Sequence, residues 1–152
     1  MRIFADADAL PNMIKGILFR AAERTLTELI LVSNQYSMIP QSKYISSVVV
    51  PAGPDEADKY IAERTLPGDL VVTADIPLAE KVIEKGGTGL DPRGELYTEN
   101  NIKTRIANRD LMFMLRDSGV NIGGPAVFKP KDRQAFAGSL DRYLTITASR
   151  MP

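Results

Sequence analysis

At 152 residues, 44% apolar and 25% charged with no net charge, the chain suits one globular domain spanning residues 1–152. It contains neither cysteine nor histidine, which excludes disulfides, thiolate and Ser-His-Asp catalysis, and metal sites built on either residue. Chemistry is left to carboxylates, Lys, Tyr, Ser/Thr, backbone amides, or a hard metal held by oxygen.

The opening MRIFADADALP lacks the charged start, long apolar core and cleavage site of a signal peptide. No apolar run has membrane-spanning length, so the expected location is the cytoplasm. Arg2–Ala5 reads as a short buried strand leading into aspartates. Pro11 starts a helix that carries Ile14, Ile17, Leu18, Ala21 and Ala22 on one face. Leu29–Ser33 is a second strand, and the Pro40-containing stretch from Gln35 to Ser42 is a loop. Ser47–Val50 is β-branched and stops at Pro51, a third strand.

After the Pro51–Pro54 turn, a helix is expected from Asp55 to Thr65, burying Ala57, Ile61 and Ala62. Pro67-Gly68 breaks it. Asp69–Thr73 is the clearest buried strand, and Asp75-Ile-Pro77 opens the next helix, which Lys85-Gly86-Gly87 ends. Thr88–Leu90 is a short fifth strand before Asp91-Pro-Arg-Gly94. Thr98 is expected to cap a helix from Glu99 to Ser118, stopped by Gly119. A Gly123-Gly124-Pro125 loop follows. Lys131–Leu144 is a last helix with Phe136, Leu140, Tyr143 and Leu144 on one face, and the tail after Ile146 is expected to fray. Strands alternating with helices imply an α/β fold, a three-layer α/β/α sandwich around a mainly parallel sheet. In such folds ligands bind beyond the carboxyl ends of the strands.

Acids collect at those ends. Asp6 and Asp8 follow the first strand, Asp55 and Asp58 the third, Asp75 the fourth and Asp91 the fifth. Parallel strands bring these ends to one edge, where crowded carboxylates call for a cation or shared protons. Asp55 and Asp75 also stand where helix caps belong, and Asp8 where it could cap the helix at Pro11. Asp6 and Asp58 are harder to explain as caps. Charge is divided along the chain: residues 1–100 hold 10 Lys+Arg against 15 Asp+Glu, and residues 101–152 hold 9 against 4. This division fits an acidic site beside a basic contact surface, or simply a solvated exterior.

The runs FADADALP, VVVPAGPDEADKYI, GDLVVTADIPLAEKVIEKG, DPRGELYTENNI and GGPAVFKPKDRQAFAGSLDRYL resemble the bacterial YaiI/YqxD family over nearly the whole chain. Leu10 stands where that family usually has cysteine, which touches only a thiol role. The resemblance implies a PIN-like topology, whose better-known members are metal-dependent ribonucleases. It aligns Asp6 with their acid after the first strand, Asp58 with the acid on the helix before the fourth, and Thr73-Ala-Asp75 with their Thr-x-Asp motif. Their helical acid between the first and third strands has no match, and Asp8 or Asp55 are its only substitutes.

The resulting expectation is a ribonuclease-like site in which Asp6, Asp58 and Asp75 act on a phosphodiester through Mg²⁺ or Mn²⁺, with Asp8 and Asp55 as further ligands. Thr73 could orient a ligand, and Arg93, Arg105 and Arg109 could contact phosphate. On the helix from Glu99, Arg105, Arg109 and Arg116 fall within about 40° of one another. The partners expected are RNA and, in a homo-oligomer, further copies of the chain, with no membrane. Two alternatives stand beside this one. One is a non-catalytic PIN-like module that binds RNA or protein. The other is a haloacid-dehalogenase-like phosphatase, with Asp6 as nucleophile, Asp8 as acid/base and Ser33 ending the second strand.

Overall fold

The computed structural model describes residues 1–121 and 127–150. In chain order the elements are β1 (Arg2–Asp6), α1 (Asn12–Thr25), β2 (Glu28–Ser33), β3 (Ile45–Val49), α2 (Glu56–Arg64), β4 (Leu70–Val72), α3 (Ile76–Glu84), β5 (Thr88–Leu90), β6 (Leu96–Tyr97), α4 (Ile102–Asp117) and α5 (Pro130–Arg150). A single 3₁₀ turn, Ala7–Ala9, joins β1 to α1.

The strands form one sheet in the order β3-β2-β1-β4-β5-β6. The first five are parallel, and β6 runs antiparallel to β5. The chain starts in the middle, winds outward through β2 to β3, then returns to lay β4 against the other side of β1. Crossovers on either side of the β1–β4 seam therefore diverge, opening a crevice at the carboxyl ends of these two strands.

Alternation along the strands divides the core. Ile3, Ala5, Leu29, Leu31, Leu70 and Val72 point to one face, where Ile14 and Leu18 of α1 and Phe136, Leu140 and Leu144 of α5 cover them. Phe4, Ile30, Val32 and Val71 point to the other, beneath Ile61 of α2 and Leu78 and Val82 of α3. Each such aliphatic side chain contributes roughly 1.5–3 kcal/mol on burial. Helix α4 joins this second layer by its first turns, where Ile102 and Ile106 pack against Ala79, Ile83 and Tyr97. The result is the three-layer α/β/α arrangement that the alternation of elements implies.

Several local expectations are corrected. Thr98 does not cap a helix at Glu99: α4 begins at Ile102, and the Asn101 side chain instead accepts the Thr98 N–H at 2.9 Å. The residues before it form β6, too short to leave an alternating pattern in sequence. Asp8 lies in the 3₁₀ turn rather than capping α1, whose first turn has Pro11 at its cap position and no side-chain cap. Helix α5 continues past Leu144 to Arg150. The Gly123-Gly124-Pro125 loop lies outside the described residues. Among the described residues no helix is long and apolar enough to cross a membrane.

Candidate active site

The pleat decides where the first acid points. In β1, Phe4 faces the α2/α3 layer, so Asp6, two residues on, faces the same way. In β4, Val71 faces that layer, and Thr73, just past the strand end, follows it. Asp6 and Thr73 are both buried, and they meet: the Thr73 hydroxyl donates to Asp6 Oδ2 at 3.3 Å. The same hydroxyl accepts the Asp75 N–H at 3.0 Å. Thr73 thus ties the end of β1 to the loop entering α3.

Asp75 caps α3, its Oδ1 accepting the Leu78 N–H at 2.9 Å. The cap uses one of the two carboxylate oxygens. Asp58 reaches the same place from α2. Ile61, one turn later, is fully buried against the sheet and fixes the helix orientation that carries Asp58 inward. Asp58 lies close enough to Asp75 for their carboxyls to share a hydrogen bond once one of them is protonated.

The electrostatics follow from this crowding. Burial, the Asp75 hydrogen bond and the charges of Asp75, Asp6 and Asp55 together push Asp58 from its ordinary 3.8 up to about 7. Asp6 is also raised, chiefly by burial. The Thr73 hydroxyl acts against that rise, while the Asp75 and Asp8 charges add to it. Among the described residues no Lys or Arg forms an ion pair with Asp6, Asp58 or Asp75.

Asp8 and Asp55 stand on the rim. Both are exposed, and each is felt by one inner acid, Asp8 by Asp6 and Asp55 by Asp58. Asp8 accepts the Asn34 N–H at 2.7 Å, pinning the 3₁₀ turn to the end of β2. The sequence reading gave Asn34 no part in the site, and its only signal was its place directly after an apolar strand. Asp55 takes a left-handed conformation (φ 68°) and makes no side-chain cap at the mouth of α2. Asp91 is occupied locally, accepting from Arg93 N at 2.6 Å and from the Tyr97 hydroxyl at 3.2 Å.

The three arginines separate. Arg109 of α4 lines a cavity of about 260 Å³ with Ala74, Asp75, Ile76 and Pro77, so it borders the aspartate cluster. Its guanidinium lies 4.4 Å from the Phe113 ring centre. Arg105 is engaged by Glu95. Arg93 turns toward α5, with Nε 3.7 Å from Asp132 and its guanidinium over Phe128, rather than pairing through its side chain with Asp91.

Among the described residues no three acids are placed as a group that could hold a metal ion. The chemistry of these donors nonetheless suits a hard cation: all oxygen and mutually repelling, with no ion pair to a basic side chain among the described residues. Mg²⁺ needs only one or two direct carboxylates because it keeps several of its waters.

The family model DUF188, described as "Uncharacterized BCR, YaiI/YqxD family", matches residues 4–146. A UPF0178 protein of Maridesulfovibrio salexigens is 53% identical over 151 residues, covering 99% of this chain and 100% of the relative. A UPF0178 protein of Marinomonas sp. is 57% identical, with 95% and 97% covered. One from Hahella chejuensis is 55% identical, with 97% and 99% covered. No solved structure matches the chain. The matched span takes in every acid of the crevice and both layers of helices, and the chain belongs to the YaiI/YqxD family of UPF0178 proteins.

Proposed function

We propose that this chain is a PIN-like, metal-dependent nuclease that hydrolyses phosphodiesters, with RNA the favoured substrate. One observation carries the reading. Three carboxylates from β1, α2 and α3 converge at the β1–β4 seam, where burial and one another's charge raise Asp6 and Asp58 above the ordinary aspartate value. Such crowding of carboxyl groups costs stability and fits a site for a cation.

Asp6, Asp58 and Asp75 would hold Mg²⁺ or Mn²⁺, with Asp8 and Asp55 raising the negative potential at the mouth. When bound, the ion supplies an activated water and neutralises charge on the phosphate. The chain's own residues do the rest. Thr73 fixes the separation of Asp6 and Asp75 through its two hydrogen bonds. Asp58 holds a proton near neutrality and releases it as positive charge arrives. Arg109, beside Asp75, is the cation placed to meet a backbone phosphate. Arg93 and Arg105 stay with Asp132 and Glu95 as structural pairs.

The absence, among the described residues, of three acids placed to hold a metal ion favours one second reading, a PIN-like module that binds RNA without cutting it. A labelled single-stranded RNA panel with Mn²⁺ separates the two. The nuclease reading expects cleavage by wild type and none by Asp75→Asn. Retention of RNA without cleavage by either protein supports the module. Equal cleavage by both identifies a contaminant.

A further inference from the structure

We infer that α4 is the contact helix of a homodimer. Among the described residues, the apolar packing of the helix on its own molecule is through its first turns, by Ile102 and Ile106. Beyond them come five consecutive apolar residues, Leu111-Met112-Phe113-Met114-Leu115, of which Leu111 is 49%, Met112 45%, Phe113 45% and Met114 62% exposed. At 100° per residue, Ala107, Leu111, Met112, Met114 and Leu115 occupy an arc of about 160° on the side opposite Phe113. Every charged residue from Lys103 to Asp117 lies outside that arc, within about 80° of Phe113. The apolar side of α4 therefore changes face halfway along. Its first turns are apolar toward the protein, and its later turns, exposed on both sides, carry an apolar arc opposite their charged side.

A soluble chain rarely presents such a patch without a partner. The arc and the exposed Val120 that follows α4 offer on the order of 400 Å² of apolar surface, and the polar rim of Thr104, Asn108 and Ser118 brings the face to the lower end of the roughly 600–1,000 Å² per partner of standard interfaces. Without charge, the arc has nothing to grip a phosphate backbone or an anionic lipid surface. Its match is an apolar face of equal size, and a second copy of α4 supplies one.

The order of side chains supports that occupant. Leu-Met-Phe-Met-Leu reads the same in both directions. A copy crossing antiparallel at the level of Phe113 meets the same profile, with Leu111 opposite Leu115 of the second copy. This is the self-complementarity that a two-fold interface requires. Other exposed apolar residues, such as Met13, Leu26 and Leu66, stand singly along the chain.

Sedimentation velocity of the full chain over a wide concentration range tests this. The wild type is expected to sediment at twice the chain mass. Met114→Glu and, separately, Leu111→Lys should each lower the mass twofold with unchanged circular dichroism, and Met38→Glu should leave it unchanged. A monomeric wild type at every concentration overturns the inference, as does a dimer that survives both α4 substitutions. If Leu111→Lys unfolds the protein, Met114→Glu at the more exposed position decides the question.

Discussion

Asp58 shows how far a helix can carry a carboxyl from its solution behaviour. Its rise to about 7 means that the folded state keeps a proton which the unfolded chain gives up near 3.8. Between those values the folded protein binds more protons, so this group lowers stability as pH rises from about 4 to 7 and adds no further slope above that. Asp58→Asn should therefore leave the metal-free protein unchanged near pH 4 and stabilise it above pH 7. The gain should be on the order of 1–2 kcal/mol, since the half-exposed carboxyl is partly screened by solvent. Thermal melts of both proteins across this pH range, with chelator present, check it. Thr73 makes a different claim. Thr73→Val keeps the shape but removes both hydrogen bonds, leaving the buried Asp6 oxygen and the Asp75 N–H without their partner. A loss of about 1–3 kcal/mol is expected in urea unfolding, together with weaker Mn²⁺ binding.

The elements explain why so much of the site could be read from the chain and where the reading stopped. Strong patterns located β1, β2, β4, α1 and α3, because buried parallel strands are apolar runs and covering helices have one apolar face. Parallel direction then put Asp6, Asp58 and Asp75 at one edge. Side-chain competition was invisible. Nothing in the sequence says that Arg93 prefers Asp132, 39 positions away in an element of the opposite layer, or that Arg105 is taken by Glu95. The start of α4 was misjudged because Thr98 is a good cap by type, while the β5–β6 turn held by Asp91 and Tyr97 delays the helix. Gly94 in that turn has φ 95°, and a Cβ there would meet the Ala135 carbonyl oxygen at 2.6 Å. Helix α2 is the element on which the cluster depends most. Ile61→Ala should cost about 2–5 kcal/mol by chemical denaturation, through the cavity it leaves. It should also return Asp58 toward an ordinary carboxyl pKa, visible by NMR titration, as α2 loosens from the sheet.

For the whole molecule, fold and chemistry meet at the β1–β4 seam. The strand order that starts in the middle of the sheet opens the crevice, and the two helix layers leave its α2/α3 side lined with acids. An excess of acid in residues 1–100 gathers there, and α4 brings Arg109 to its border. The central claim is that these acids are poised for a divalent cation. Calorimetric titration of Mn²⁺ at pH 7, repeated in buffers of different ionisation enthalpy, measures affinity and proton release together. The account predicts binding by the wild type with release of part of a proton from the Asp58–Asp75 pair, loss of binding in Asp6→Asn and Asp75→Asn, and tighter binding at pH 8 than at pH 6. Equal heats from all three proteins, or no heat from any, would contradict it.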